Sequence, residues 1–502
     1  MNKPRSVIVG YLPQEISLPA GVTLLTAAMQ PPPKLAAVEA RLSAIEARLG
    51  EPDVYNDSAK LTAVLAEQEM VIAEYTALGG AGHPARVRDM LHRLGFTPDD
   101  YDLPTESLSG GQKKLAALVV LAVGAPEVLL LDEPDNHLDF KAKRHLEAFI
   151  HSYPGAVLIV SHDRYLLDES VTHIAELEDG ALTLYPGNYT AYAEQRELKR
   201  LRQQQMYVAQ QKTIQRIEAR IHEWELMAKA DLNERYARQA RSRRKMLDRM
   251  EANGEVIERV RDRKLMAMQL EGSRGSDLAL RALDITMGFG DELLMLGVSL
   301  VVQHGERVGL IGENGAGKSV LFKLLLGELS PLEGTVIIGN STRVGYYSQE
   351  HQTLAAWLHR TPVEAVRDVR PMSEGEGVHQ LLKFAFTYEQ ARQPISTLSG
   401  GERSRLQLLR LMLTKPNLLL LDEPTNNLDI ASLEVLEEAL EDFEGAVLTI
   451  SHDRYFLDRI ADRVVALQDG ALTEYSGGYS AYMARKAHPV PNKAQAKDSR
   501  KR

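Results

Sequence analysis

The chain has 502 residues, 44% of them hydrophobic, which is more than one ordinary core holds and predicts two or three domains. Its formal net charge is −10, from 69 acidic and 59 basic residues, so any surface for nucleic acid must be local rather than global. The absence of cysteine excludes disulfides and thiolate metal sites and points to a reducing, cytoplasmic compartment.

The N-terminal run MNKPRSVIVGYLPQE lacks the apolar block and cleavage site of a secretory signal. No stretch approaches the roughly 20 apolar residues that span a bilayer, so no membrane segment is expected. Between residues 31 and 79, Leu35, Val38, Leu42, Ile45 and Leu49 recur at alternating three and four, one stripe of a helix. After a break at Pro52–Asn56, Leu61, Val64, Val71, Tyr75 and Leu78 continue the pattern, which predicts a helical hairpin. Ser109-Gly110-Gly111 precedes a helix and offers a hydroxyl and free N–H groups suited to phosphate. The apolar stretch 115–131, interrupted by Gly124 and Pro126, reads as helix, turn and buried strand, ending in Asp132 and Glu133.

Residues 194–264 carry nineteen Lys/Arg against twelve Asp/Glu, net +7 within an acidic chain. Ile214, Ile217, Ile221 and Trp224 mark one seam of a long helix; Leu232, Tyr236, Met246 and Met250 mark a returning one, with the turn near 227–233. Past the turn, Arg235, Arg238, Arg241, Arg243, Arg244 and Lys245 cluster with no carboxylate among them. Charge runs on helices are usually solvated faces. Phosphate neutralisation is the alternative use of so unbalanced a run, and it makes these six the candidate RNA contacts.

GENGAGKS, Gly312-Glu313-Asn314-Gly315-Ala316-Gly317-Lys318-Ser319, fits G-x-x-x-x-G-K-[ST]. It follows the apolar strand 308–311 and precedes the apolar helix 321–326, the context of a phosphate-binding loop. Lys318 is placed to reach the β- and γ-phosphates and Ser319 to ligate Mg²⁺; Val320 lacks the hydroxyl a threonine would offer there. The strand 418–421 ends in Asp422, assigned to the metal shell, and Glu423, assigned as base for the attacking water. Gln349 ends another strand and is placed to touch metal and water, and His452 follows the strand 447–450 and faces the γ-phosphate. The tail 486–502 is basic and proline-interrupted, with the composition of a disordered segment.

The chain repeats itself. SLSGGQ returns as TLSGGE, LLLDEPDNHLD as LLLDEPTNNLD, and VSHDRYLLD as ISHDRYFLD, each offset by 290 residues: Ser109 to Ser399, Asp132 to Asp422, His162 to His452. VGYLPQE and VGYYSQE are instead 335 apart, from Gln14 to Gln349, which leaves about 45 extra residues in the first copy. The hairpin at 31–79 accounts for them. By the same offset Met1 corresponds to Val336, beyond the second copy's phosphate loop. The first copy therefore has no such loop, and an incomplete N-terminus is the expected reason.

Together these strings resemble the ATP-binding-cassette superfamily: 312–319 its Walker A motif, Gln349 its Q-loop, 398–402 its signature, 418–423 its Walker B, 426–429 its D-loop and His452 its switch histidine. Phe289 resembles the aromatic that stacks on adenine. Tandem copies and a charged linker resemble the ABC-F group in particular, although Asp135 and Asn427 replace that group's usual threonine and histidine. The resemblance implies an α/β fold: two P-loop cassettes, 1–192 and 277–485, joined by a helical coiled-coil linker at 193–276, the first cassette N-terminally incomplete and carrying an arm at about 31–79. It implies ATP and Mg²⁺ as cofactors, and a monomer whose cassettes pair head to tail. One complete site then joins Gly312–Ser319, Gln349, Asp422, Glu423 and His452 to Ser109, Gly110, Gly111 and Gln112. A degenerate one is left with Gln14, Asp132, Glu133, His162 and Ser399, Gly400 and Gly401. The implied function is an ATP hydrolase that engages the ribosome and tRNA or rRNA through its linker and regulates translation, with no membrane or DNA partner. A transporter's ATPase subunit and a catalytically inactive cassette protein are the alternatives.

Overall fold

The computed structural model describes residues 7–487 apart from 15, 179, 231–233, 254–255, 258–265, 267, 271–276, 291 and 349–351. The chain divides into two compact units, Met1–Ser170 with Met266–Arg502, and Val171–Leu265.

In the first unit, β1 (Val9–Leu12), β2 (Val128–Asp132) and β3 (Ala156–Val160) form a parallel sheet in the order β1-β2-β3. The second repeat builds a larger sheet. Its β8 (Arg307–Ile311), β10 (Val344–Tyr347), β11 (Leu418–Asp422), β12 (Ala446–Ile450), β13 (Arg463–Gln468) and β14 (Ala471–Ser476) run in the order β10-β11-β12-β8-β13-β14, parallel except for the β13–β14 pair. An antiparallel sheet of β6 (Leu278–Phe289), β7 (Glu292–Gln303) and β9 (Glu333–Ile338) packs on it through one core that contains Leu300, Phe322 and Leu420. Leu418, Leu419, Leu420 and Leu421 are all fully buried, as a continuous apolar run must be when a parallel strand is covered on both faces. β3 differs: Leu158 and Val160 are 56% and 53% exposed, and no partner strand beyond it occurs among the described residues. Its counterpart β12 is closed on that side by β8.

The expected hairpin forms as α1 (Pro33–Leu49) and α2 (Ser58–Ala77). They share an apolar cluster of their own, including Val38, Ile45, Val54, Val64 and Val71, edged by the ion pairs Arg41–Glu74 at 2.7 Å and Arg48–Glu67 at 2.8 Å. Two helices frame the chemistry in the first repeat, α3 (Gly110–Val123) and α4 (Phe140–Ser152).

The second unit holds β4 (His173–Glu178) and β5 (Ala181–Pro186), an antiparallel pair, and two long helices, α5 (Tyr189–Ala230) and α6 (Glu234–Ala252). It starts before the expected linker boundary at 193, because β4–β5 makes a two-stranded sheet by itself. Its counterpart β13–β14 is instead joined to the main sheet through β8. Ile221 is buried at the helix seam and Ile214, Ile217 and Trp224 half-buried, while Leu232 lies outside the described residues. On the return, Tyr236 and Met250 are half-buried but Met246 is 42% exposed, and Leu247 and the buried Ala240 take the seam instead. Helical pitch explains the correction: Leu247 lies eleven residues, three turns, past Tyr236, whereas Met246 lies well round the cylinder. All six basic candidates, Arg235 to Lys245, are exposed. Among the described residues, Glu234 lies 3.0 Å from Arg238 and Glu225 3.2 Å from Arg244.

Candidate active site

The glycine loop leads from β8 into α7 (Lys318–Leu325), as the alternation of apolar strand, glycines and apolar helix requires. Gly315 and Gly317 stand at φ +83° and +97°, the left-handed region open to glycine, and so turn successive N–H groups toward one point. Lys318 is buried, and its ammonium donates to the carbonyls of Gly312 at 2.8 Å and Glu313 at 3.0 Å, so the lysine spans the loop it belongs to. Burial lowers its pKa, opposed by Glu423, Asp139, Asp422 and Glu313.

β11 delivers Asp422 and Glu423 beside this loop, both buried. Glu423 has φ +50°, and Glu133 at the end of β2 has +46°, so the strand-end acid is held in the same uncommon backbone region in both repeats. One Glu423 oxygen accepts from the His452 backbone N–H at 3.2 Å, and the other lies 3.5 Å from His452 Nε2. Burial, with repulsion from Asp422, pushes the Glu423 carboxyl up to about 7 against the pull of Lys318. Burial, with the charges of Lys318 and Lys143, holds the His452 imidazole well below its ordinary value. A neutral imidazole beside a carboxyl poised near neutrality suits proton transfer from water.

The first repeat closes the site. A cavity of about 540 Å³ is lined by Ser109 and Gly110 on one side and by Gly317, Lys318, Asp422 and Glu423 on the other. Asn314, Gly315, Ser319, Val320 and His452 also line it. Ser109 caps α3: its hydroxyl accepts from Gln112 N at 3.2 Å, which leaves the hydroxyl proton to donate. Gln112 turns back to accept from Ser109 N at 2.9 Å, so its side chain serves the helix cap and lies outside the cavity lining. Gly111 lies outside the lining too; a Cβ there would come within 2.7 Å of the His137 carbonyl, which explains the glycine by packing. Glu313, Ala316 and Gly312 shape the loop without lining the cavity. Phe289 is 53% exposed at the β6–β7 turn, also away from the lining, while Leu294 on β7, unmarked in the sequence, borders it. Gln349 lies outside the described residues.

Residues after the first repeat's D-E-P string touch the loop directly: Asp139 accepts from Asn314 N at 3.3 Å and His137 O from Asn314 Nδ2 at 3.3 Å. The repeats also exchange buried ion pairs that obey the 290-residue offset. Arg164 is paired with Glu437, and Arg454 with Glu147 at 3.0 Å. Glu437 is fully buried and also takes Arg459 at 2.8 Å. Glu437→Gln removes the acid from two guanidiniums and should destabilise the chain by about 3–5 kcal/mol, read by denaturant unfolding.

The first repeat's own acids are engaged otherwise. Glu133 accepts from Gln14 at 2.6 Å and Asn136 at 2.5 Å and lies 3.7 Å from His162, and Asp132 accepts from Tyr11 at 3.2 Å. Lys114, where the second repeat has Ser404, donates to the Glu133 carbonyl at 2.6 Å. In the second repeat Ser399 caps its helix with Glu402, as Ser109 does with Gln112, and Gly400 and Gly401 open that helix.

Family models described as ABC transporter match residues 295–426 and 175–269, and an AAA domain model matches 86–168. The chain is 36% identical over 483 residues to the energy-dependent translational throttle protein EttA of Haemophilus influenzae, covering 94% of this chain and 83% of that one. It is 33% identical to the ABC transporter ATP-binding protein YfmR of Bacillus subtilis, covering 100% and 79%. With ABC transporter F family member 5 of Arabidopsis thaliana it shares 34% identity over 80% of this chain, and it spans 57% of that relative's length. Among solved structures, the archaeal ribosome recycling factor aABCE1 in complex with a ribosomal stalk protein superposes with a TM-score of 0.52 at 19% identity, over 80% of this chain and 70% of that one.

Proposed function

The chain belongs to the ABC-F group of ATP-binding-cassette ATPases, and from that premise we propose that it hydrolyses ATP at one composite site and uses the closure to regulate translation on the ribosome. One observation supports the composite site above the rest. The phosphate loop and strand-end acids of the second repeat share a cavity with Ser109 and Gly110 of the first. ATP bound there would touch both cassettes, so it favours the closed arrangement by the difference in its affinity for closed and open states.

In this reading the loop amides and Lys318 grip the β- and γ-phosphates, and Ser109 covers the terminal phosphate from the opposite cassette. Glu423 takes the proton of the attacking water, and His452 faces the γ-phosphate. The donor set fits Mg²⁺: Ser319 and Asp422 line the same cavity and offer hard oxygen ligands, few enough that phosphate oxygens and water complete the shell. Bound there, the ion would neutralise charge on the β- and γ-oxygens. Of the residues expected in a second site, Gln14 and Glu133 are hydrogen-bonded to each other and Asp132 to Tyr11, while His162 lines the same cavity as Lys318 and Glu423.

A role in translation is supported by the translational throttle for which the EttA relative is named, and RNA contact by the exposed basic run on α6. No helix among the described residues is long and apolar enough to cross a membrane. Reversing Arg241, Arg243 and Lys245 to Glu should cut cosedimentation with ribosomes at least tenfold and flatten its salt dependence, while MgATP turnover of the free protein stays within twofold. Unchanged cosedimentation would remove RNA contact from the function of α6 and leave the transporter-subunit alternative standing.

A further inference from the structure

The two repeats are not equivalent around their histidines. His452 has a side chain 12% exposed, whereas that of His162 is 44% exposed. The difference comes from α4. Phe140 sets its ring 5.1 Å from the His452 ring, edge-on, and stacks on Tyr479 at 4.3 Å. One turn on, the buried Lys143 crosses between repeats: its ammonium donates to the His452 carbonyl at 2.9 Å and to Asp163 of its own repeat at 2.6 Å. Asp135, buried nearby, accepts from Ser161 at 2.7 Å and adds a second acid to the lysine's surroundings. Burial opposes the charge on Lys143, but the two acids more than offset it and keep the ammonium protonated.

The counterparts of these residues, by the same offset, are Ile430 for Phe140, Leu433 for Lys143 and Thr425 for Asp135. The second repeat therefore does without the charges. Thr425 lies 3.4 Å from Ser451, and Leu433 packs in the core. Both pairs line the one cavity, but only the first repeat's Lys143 carries an ammonium that reaches the His452 peptide.

We propose that Lys143 and Phe140 are positioning residues, supplied by the first cassette to the second, which fix the His452 peptide and ring so that the imidazole meets the terminal phosphate only when the cassettes are closed. Closure is thereby coupled to hydrolysis at this site through the peptide of the histidine itself. A misplacement near 1 Å at a reacting centre costs up to about 10²-fold in rate, so a tether on this peptide matters to turnover far more than to binding. The inference rests on the proposed role of His452 at the phosphate.

The test is steady-state MgATP hydrolysis by the full chain carrying Asp135→Thr with Lys143→Leu. That double variant copies a pair the second repeat already uses. It removes the buried Asp135 carboxyl together with the Lys143 ammonium, and Asp163 keeps the attraction of Arg454. We expect kcat to fall about tenfold or more with the ATP KM within twofold and the melting temperature within a few degrees; the conservative single variant Lys143→Arg should keep at least half the parental turnover. Parental kcat in the double variant overturns the inference. If the double variant unfolds, Phe140→Ile carries the test on the same terms: reduced kcat at constant KM supports positioning, and parental kcat overturns it. A parental chain that turns over no MgATP overturns the reading of the site and this inference with it, a result distinct from active parent and active variants.

Discussion

Glu423→Gln should leave MgATP bound and lower turnover about 10³-fold, the scale on which a positioned general base contributes. Three features of the site lead there. Glu423 is held at φ +50° at the end of β11, so its carboxylate projects into the cavity beside Lys318. One of its oxygens accepts from the His452 N–H, a bond that a glutamine carbonyl keeps. The substitution therefore preserves shape and one hydrogen bond while removing the capacity to accept a proton from water. It also removes a buried charge whose ionisation burial already disfavours, so the variant should fold at least as well as the parent. The measurement is rapid filtration with doubly labelled ATP: about one nucleotide per chain, recovered as ATP rather than ADP. Recovery of ADP, or parental turnover, would take the base role from Glu423. Glu133→Gln is the companion. Because Glu133 is occupied by Gln14 and Asn136, that change should leave turnover within twofold.

The contrast between the two glutamates shows what could be read from residue types and what could not. The phosphate loop was visible from its strand and helix flanks, and the acidic strand ends and histidines because each sits in a string that returns at one offset. Asp139 was legible only as part of a repeated string; its contact with Asn314 belongs to the head-to-tail pairing of the repeats, which local patterning does not encode. Lys143 was hidden more deeply. In Phe140-Lys141-Ala142-Lys143-Arg144 a lysine reads as a solvated face, whereas Lys143 is buried between Asp163 of its own repeat and the His452 carbonyl of the other. One signal did exist: Asp135 and Lys143 depart together from Thr425 and Leu433, and a paired departure between copies suggests paired charges. Gln112 misled for the opposite reason. A serine followed three residues later by glutamine is a capping box wherever it starts a helix, and the cap takes the glutamine side chain. Met246 was assigned to the seam by apolar character alone, where counting turns from Tyr236 selects Leu247.

Lys318→Met should weaken MgATP binding about 10²-fold, and with it remove nucleotide from the whole chain. Lys318 Nζ is at present satisfied by the Gly312 and Glu313 carbonyls, so the folded loop does not depend on a ligand to keep the ammonium paired. When polyphosphate enters, those neutral acceptors give way to anionic oxygens, and charge-assisted hydrogen bonds of this kind contribute about 1.5–3 kcal/mol, one to two decades in affinity. The methionine keeps the stem length and apolar packing, so the loss reports charge rather than a cavity. Fluorescence titration with a labelled ATP analogue measures it, and Ser109→Ala supplies the orthogonal check from the other cassette. Ser109 touches the site only across the interface, so its hydroxyl should matter to closure-dependent turnover while initial binding to the loop stays near parental. If the Lys318→Met variant still bound nucleotide as the parent does, phosphate would have to be held elsewhere. The composite site would then have to be abandoned.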